Sequence, residues 1–410
     1  MHRLITFLGK GQKSESGYRT ANYCFATGNC RTSPFFGLAL LEELATSSTP
    51  VDHLLVLGTS SSIWDALLSG EMQDSALWVE LGERVEAGNV DDRLLNRVAA
   101  DVQTTMSQRG LANTVSLRVI PFGRDEQEQI SILRQMADLV EKGDRVSMDI
   151  THGFRSLPML GLTSAMFLKQ LKGATVEGIY YGALDMTDTS GTPVLRLDGL
   201  LLLTDWLAAI SAFRVSGDYG LFAPFLGDAD TGNALIQAGF YEKTLNIAQA
   251  RKHLREATKH FPDLEAADPI FHLFSAELRS FTAWSEKQSF AGRQLAAAHN
   301  ALGTGNFMRA AALAVEACIT NALPKGSDPS DYGARNTARD SLNAQCKGKN
   351  WQTAEPGLAA YRELGDLRNS LSHGTRPAYN SMDQQKTLQS QQQLKERLRS
   401  LLKTMESIIR

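Results

Sequence analysis

Over about the first 200 residues, short apolar runs alternate with longer segments whose apolar positions recur every three to four residues. Leu4-Ile5-Thr6-Phe7-Leu8 is one such run and stops at Gly9; Val51 to Leu57 is another and stops at Gly58. Val115 to Phe122, Arg145 to Ile150 and Thr175 to Tyr181 follow. Runs of this length and apolar density predict buried strands. Between several of them, helical periodicity predicts helices over Phe35 to Ala45, Asp91 to Gln108, Glu126 to Lys142 and Ser156 to Lys172. Strands spaced by helices of this size imply parallel crossover units and an open α/β sheet. Ligands of such sheets bind beyond the carboxyl ends of the strands, where strand order reverses.

Strand signals vanish from about Trp206 onward. Leu235 to His260, Pro269 to Gln288, Gly305 to Ala322, Gly357 to Ser372 and Gln384 to Arg410 read as helices, and Pro324 to Asp331 and Cys346 to Pro356 as loops. In the last helix, Leu394, Leu398, Leu401, Met405 and Ile408 line one face. The expected organisation is an α/β domain over 1–205, a helical connecting region over 206–290 and an all-α domain over 291–410.

Composition narrows the function classes. The 410 residues are 43% hydrophobic and 21% charged, with 33 Gly and 12 Pro, which is ordinary for a globular chain. Their length exceeds what one hydrophobic core usually organises. A net charge of -3 argues against a protein that coats nucleic acid without sequence preference, although a pocket or narrow groove needs only a few local cations, here Lys10, Arg155 and Arg368. Met1 to Leu8 is too brief for a signal peptide, and the apolar stretch Leu197 to Ile210, interrupted by Asp198 and Asp205, is short of a membrane span. The expectation is a cytoplasmic protein with no membrane partner. Cys24, Cys30, Cys318 and Cys346 form neither a C-x-x-C pair nor a zinc spacing, so reduced, free thiols and no metal site are expected, with Cys318 a small core residue.

Two loops after strands carry candidate chemistry. Gly58-Thr59-Ser60-Ser61-Ser62-Ile63-Trp64 sets four hydroxyl residues after a glycine, supplying backbone N–H groups and rotatable donors for phosphate or ribose oxygens. The plainer reading is a βα loop in which one Ser caps the next helix. Thr151-His152-Gly153-Phe154-Arg155 places Thr, His and Arg at a strand end beside a helix start, a site for an anionic ligand with a base to stack, where a lone His would ordinarily be structural. Neither G-x-G-x-x-G after the first strand nor a P-loop motif occurs, which disfavours dinucleotide dehydrogenases and P-loop NTPases.

Leu8-Gly9-Lys10, the Leu57 to Trp64 loop and Asp149-Ile150-Thr151-His152-Gly153-Phe154-Arg155 resemble the CARF domain, the CRISPR-associated Rossmann fold, and more narrowly its D-x-T-H-G-F-R branch in ancillary ribonucleases of type III CRISPR systems. The resemblance spans roughly 1–205 and implies a sensor that pairs across a two-fold axis. It further implies that a cyclic oligoadenylate binds at Gly9, Lys10, Gly58, Thr59, Ser60, Ser61, Ser62, Trp64, Thr151, His152, Gly153, Phe154 and Arg155. Cyclic tetra-adenylate is the ring size expected first, and a two-fold pocket suits a ligand with rotational symmetry.

Such proteins commonly carry a HEPN ribonuclease domain, marked by Arg, four to six residues, then His, often with Asn after the Arg. Arg368-Asn369-Ser370-Leu371-Ser372-His373 fits. The spacing alone is weak, since 27 Arg and 8 His produce roughly one or two chance matches, and Arg255 to His260 and Arg293 to His299 are decoys. Context favours Arg368: only here does Asn follow the Arg, Gly374 and Pro377 place His373 at a helix C-terminus, and Arg368 falls on the apolar face, within the angular span of the stripe Tyr361, Leu364, Leu367 and Leu371. Five residues turn a helix through about 500°, leaving Arg368 and His373 roughly 140° apart, which suits a groove completed by a second copy. The resemblance implies a homodimer, or an oligomer of dimers, that cleaves single-stranded RNA without a metal. The 2′-hydroxyl would attack its phosphate to leave a 2′,3′-cyclic phosphate, with catalysis by Arg368, Asn369 and His373. Two other readings stand beside it: a nucleotide-sensing regulator without ribonuclease activity, and a ring nuclease that degrades the cyclic ligand through His152 or the Thr59 to Ser62 hydroxyls.

Overall fold

The computed structural model describes residues 1–11, 13–14, 17–68, 75–153, 157–347, 354–374 and 386–409. Phe154, Arg155 and Pro377 lie outside them, as do the first residues of the helices expected from Ser156 and Gln384. The chain divides into two compact units, Met1–Thr204 and Asp205–Arg410.

In the first unit the strands are β1 (His2–Leu8), β2 (Lys13–Ser14), β3 (Gly17–Tyr18), β4 (Ala21–Cys24), β5 (Cys30–Ser33), β6 (His53–Gly58), β7 (Thr114–Val119), β8 (Arg145–Asp149), β9 (Thr175–Gly182) and β10 (Thr192–Arg196). Eight of them form one sheet in the order β5-β4-β10-β9-β8-β1-β6-β7, and β2 pairs with β3 alone. The five strands from β9 to β7 are mutually parallel. Among the described residues of this eight-stranded sheet, antiparallel pairing enters only at β10 with β9 and at the β4–β5 hairpin. The helices of this unit are α1 (Phe36–Ala45), α2 (Ala76–Ala87), α3 (Asp92–Gln108), α4 (Glu126–Asp138) and α5 (Leu157–Lys172).

Alternation along β1 explains the two layers. Leu4 and Leu8 point into a core shared with Phe36, Leu40, Leu81 and Leu95, whereas Ile5 and Phe7 point into another shared with Ile132, Met136 and Leu168. A strand covered on both faces must be apolar throughout, and this is why β1, β6 and β8 stand out in the sequence. Strand order runs outward from β1 through β6 to β7, then returns to β8 on the other side of β1. The crevice that such a reversal opens lies between the ends of β1 and β8.

Three elements of this unit carry no clear sequence signal. The β4–β5 hairpin lies in a polar stretch, β10 is a short edge-side strand, and α2 buries only Trp78 and Leu81. The hairpin also corrects the expectation of free thiols. Cys24 and Cys30 are direct cross-strand partners and form a disulfide, with their Cα atoms 4.1 Å apart. Cys318 and Cys346 are free and buried, and burial pushes the Cys318 thiol up to about 12.

The second unit is all helical among the described residues. Its helices are α6 (Asp198–Ser216, which spans the boundary), α7 (Ala229–Lys243), α8 (Ile247–Lys259), α9 (Phe261–Ala267), α10 (Pro269–Thr282), α11 (Phe290–Gly303), α12 (Phe307–Asn321), α13 (Tyr332–Cys346), α14 (Pro356–His373) and α15 (Gln391–Glu406). The helix read over Leu235 to His260 is two. The chain breaks where Leu245 adopts a left-handed φ of 64°, and Asn246 caps α8 by accepting from Gln249 N. Helix α6 outruns the Leu197 to Ile210 stretch. By length and composition it is the one described helix that could cross a membrane, although Trp206, Ile210 and Phe213 on it are buried. Helices α11, α12, α14 and α15 pack on one another, with Leu313, Leu364, Leu367, Leu398 and Leu402 at most 0% exposed.

Candidate functional site

The crevice between β1 and β8 is built on close backbone approach. A Cβ on Gly9 would sit 2.8 Å from the Gly153 backbone nitrogen, so the loop after β1 touches the turn after β8 only because residue 9 has no side chain. Below that contact a polar column runs into the sheet. Asp149, fully buried at the end of β8, accepts from Thr6 Oγ1 at 2.5 Å and from Thr151 N at 2.7 Å. Thr151 Oγ1 in turn accepts from Gly182 N at 2.8 Å, tying the turn to β9. Burial raises the Asp149 carboxyl to about 6, the hydrogen bonds from Thr6 and Thr151 pulling the other way.

His152 faces inward from this turn. Its Nε2 accepts the backbone N–H of Phe36 at 3.1 Å, in the first turn of α1, where the N-cap residue Phe35 supplies no side-chain cap. The Tyr23 hydroxyl lies 3.4 Å from the same nitrogen, and the ring packs beside Phe35 at 5.8 Å between centroids. An Nε2 that accepts is unprotonated, and burial lowers the ring to about 4. His152 is thus a neutral imidazole that holds the β8 turn against α1. Tyr23 has no sequence signal of its own, being one aromatic residue in the polar stretch that forms β4.

The loop after β6 divides its hydroxyls between structure and solvent. Ser62 Oγ donates to Leu8 O at 2.6 Å and accepts from Thr59 N at 2.9 Å. Trp64, fully buried, donates its indole N–H to Thr59 O at 2.9 Å, and a Cβ on Gly58 would lie 2.7 Å from that ring. Ile63 N donates to Gly9 O at 3.0 Å, joining this loop to the crevice. Thr59, Ser62 and Trp64 therefore fix the loop from within. Ser60 and Ser61 are half-buried at its tip, while Lys10 and Gly153 are exposed. Phe154 and Arg155 lie outside the described residues.

In the second unit, α14 carries Arg368, Asn369 and His373. Pro356 opens the helix in its first turn, and Gly374 closes it in the left-handed conformation, φ 63°. Leu358, Tyr361, Leu364 and Leu367 are its buried face, with Arg368 half-buried beside them. Arg368 donates from Nε and Nη2 to Asn369 Oδ1 at 3.1 and 2.8 Å, and pairs with no carboxylate among the described residues. Asn369 thus orients the guanidinium rather than the imidazole. His373 is exposed in the last turn. The decoys differ. Arg293 donates to the Lys287 and Gln288 carbonyls, His299 lies 3.0 Å from Glu406, and Arg255 stands exposed on α8. Among the described residues no three His, Cys, Asp or Glu side chains gather as metal ligands would.

Comparison with known proteins bears on the first unit. Residues 3–185 match the family model described as "CRISPR system endoribonuclease Csx1, CARF domain". CRISPR-associated protein MJ1674 of Methanocaldococcus jannaschii is 27% identical over 249 residues, 55% of this chain and 38% of that relative. The chain therefore aligns with well under half of the relative's length. Residues 3–185 thus form a CARF domain, and the chain is similar to CRISPR-associated proteins.

Proposed function

We propose that this protein is an endoribonuclease switched on by a cyclic oligoadenylate, with the β1–β8 crevice as the sensor and the α14 terminus as the cleavage site. The observation that carries the reading is the state of Arg368 and His373: a half-buried guanidinium oriented by Asn369 with no carboxylate partner among the described residues, and an exposed imidazole at the same helix end. A structural arginine in a helical bundle usually spends its charge on a neighbouring acid, as Arg335 does on Glu316.

The chemistry is a transesterification. The RNA 2′-oxygen bonds to the adjacent phosphorus, the bond to the 5′-oxygen breaks, and one proton leaves the nucleophile while another reaches the leaving group. An imidazole can give or take a proton, so His373 serves one of those transfers. Arg368 places a fixed charge against the phosphorane oxygens. Because five helical residues separate the two side chains by about 140°, a second copy of α14 completes the groove. In the sensor, Lys10, Ser60, Ser61 and Gly153 face the ligand, while Thr59, Ser62, Trp64, Thr151 and His152 hold the loops; the family resemblance adds Phe154 and Arg155 to the ligand-binding set. Ligand binding acts by favouring the dimer arrangement that assembles the groove.

The test is cleavage of a fluorescent single-stranded RNA in EDTA, with cyclic tri-, tetra- or hexa-adenylate added in turn. Cleavage that needs one ligand and is lost in His373→Ala supports the reading. No cleavage with any ligand, or full activity in His373→Ala, refutes it.

A further inference from the structure

Helix α13 packs against α14, the helix that carries the residues proposed for catalysis. Two contacts fix how they pair. The Tyr361 hydroxyl donates to Asn343 Oδ1 at 3.1 Å, and Cys346 Sγ lies 4.0 Å from Leu358 O. Numbers fall along one helix as they rise along the other, so the two run antiparallel. At about 1.5 Å per residue, Tyr332 stands about 16 Å from Asn343 along α13, and His373 about 18 Å from Tyr361 along α14 in the same direction. Tyr332, the first residue of α13, is thus level with the last turn of α14. Arg339 lies about 6 Å from Asn343 in that direction and Arg368 about 10 Å from Tyr361, so the two arginines are about one turn apart in height. At about 100° per residue, Tyr332, Arg339 and Asn343 share an arc of about 40° on α13, and Arg368 is within about 20° of Tyr361 on α14. Both arginines therefore border the seam that Asn343 and Tyr361 close. Burial pushes the Tyr361 hydroxyl up to about 12, and the charges of Arg339 and Arg368 both pull against that.

The side chains that α13 brings to this seam serve the fold little. Half-buried Arg339 donates to Asn336 Oδ1 on its own helix at 3.3 Å and pairs with no carboxylate among the described residues. Arg335, one turn away, is the contrast: it pairs with Glu316 and donates to Thr320 Oγ1 and Pro329 O, each at 2.9 Å. Tyr332 is 77% exposed, whereas Tyr219 and Tyr361 of the same unit are buried. A bare aromatic ring leaves apolar surface in water, and two guanidinium groups on one seam repel each other. Single-stranded nucleic acid relieves both, because its phosphates pair with guanidinium groups and its bases stack on aromatic rings. We infer that α13 is the substrate wall of the ribonuclease groove, with Arg339 holding an RNA phosphate next to the one at Arg368 and Tyr332 stacking a base at the His373 end. The inference rests on the ribonuclease reading and deepens it: Arg339 and Tyr332 seat the strand, and Arg368 and His373 act on the bond.

The experiment starts from cleavage by the full-length parent protein, since its absence with every cyclic oligoadenylate refutes the ribonuclease reading and this inference with it. Binding is then measured in a His373→Ala background, by anisotropy of a fluorescent single-stranded RNA with the activating ligand present and salt varied. Adding Arg339→Gln should weaken binding about tenfold at low salt and flatten the slope of log K against log salt by about 0.7, the share of one phosphate on a single strand. Arg339→Lys should keep the slope. Adding Tyr332→Ala should weaken binding about fivefold or more, the worth of one stacked base, with the slope unchanged, and Tyr332→Phe should bind as tightly as the background. A merely structural arginine would lower the thermal midpoint and leave the salt slope alone. Where the parent cleaves, undiminished affinity in both Arg339→Gln and Tyr332→Ala overturns this inference and leaves the ribonuclease reading standing. A changed oligomeric state of Tyr332→Ala in sedimentation overturns it too, by making the ring a contact between copies.

Discussion

The two candidate sites of this molecule spend their polar groups in opposite ways. In the CARF crevice most of the distinctive residues face inward: Ser62 bonds Leu8 O, Trp64 bonds Thr59 O, and His152 caps α1. On α14 the distinctive residues face outward, with His373 exposed and the Arg368 guanidinium bonded, among the described residues, only to its neighbour Asn369. One site needs loops held in register so that backbone groups and a few exposed side chains can meet a ligand. The other, under the function proposed above, needs reactive groups left unspent until substrate and a second copy arrive. A motif residue is therefore no guide by itself to a contact, because at the crevice the most recognisable side chains are scaffold.

The comparison breaks most visibly at α14. Arg368→Ala and His373→Ala are each expected to reduce activator-dependent RNA cleavage by about 10²- to 10⁴-fold, the range for losing a general acid–base or an electrostatic stabiliser. Neither should shift the thermal midpoint appreciably, since both side chains lie at the surface or beside it. A large loss of stability in either variant would mean that the residue is structural after all. Substitution within the crevice scaffold should do the reverse. Trp64→Ala removes a fully buried indole and is expected to cost about 3–5 kcal/mol, read as a lowered urea midpoint of the first unit. If Trp64→Ala were stable and simply failed to bind activator, the indole would be a ligand contact and the contrast between the sites would collapse.

Lys10→Ala sharpens the contrast from the side of the ligand. Lys10 is exposed, so stability should change by less than about 0.5 kcal/mol. Activator affinity should fall about tenfold, the scale of one charge-assisted contact to phosphate, and the loss should shrink as salt is raised. Unchanged affinity would remove Lys10 from the pocket.

How much of this was legible in the sequence follows from how each feature is made. Strands β1, β6 and β8 are covered on both faces and so must be apolar along their length, which is a signal a single chain can carry. The β4–β5 hairpin is short and polar, and its two cysteines acquire a partner only through cross-strand register. No local pattern announces that Tyr23, from that hairpin, stands beside His152 from a turn 129 residues later. The end of α14 was readable because Gly374 supplies the left-handed residue a helix stop requires. The break at Leu245 was not, because a leucine in that conformation contradicts the local propensity, and a capping Asn one residue on is a weaker cue. Which face of His152 would be used was likewise beyond the sequence, since the uncapped N–H it satisfies belongs to Phe36.

That last point yields the smallest effect and a pH dependence of definite sign. Burial holds His152 near 4, and burial with the adjacent Arg3 charge holds His53 near 4 as well. In the unfolded chain a histidine titrates near about 6.5. As pH falls from 6.5 towards 4 the unfolded state therefore takes up protons at both rings that the folded state refuses, and stability drops. Asp149 works against this: its folded carboxyl takes a proton near 6 whereas an unfolded one does so near about 3.9, so acidification across that interval favours the fold. Two rings against one carboxyl leave a net loss of stability on acidification. His152→Gln keeps an acceptor for Phe36 N–H and removes one of the two rings. At pH 7 it should cost about 1 kcal/mol or less, the worth of an imperfectly reproduced hydrogen bond. Between pH 7 and 5 its thermal midpoint should fall less steeply than that of the parent protein. Parallel profiles would show that the ring is not held neutral by the fold, and would return His152 to the ligand-facing side of the crevice.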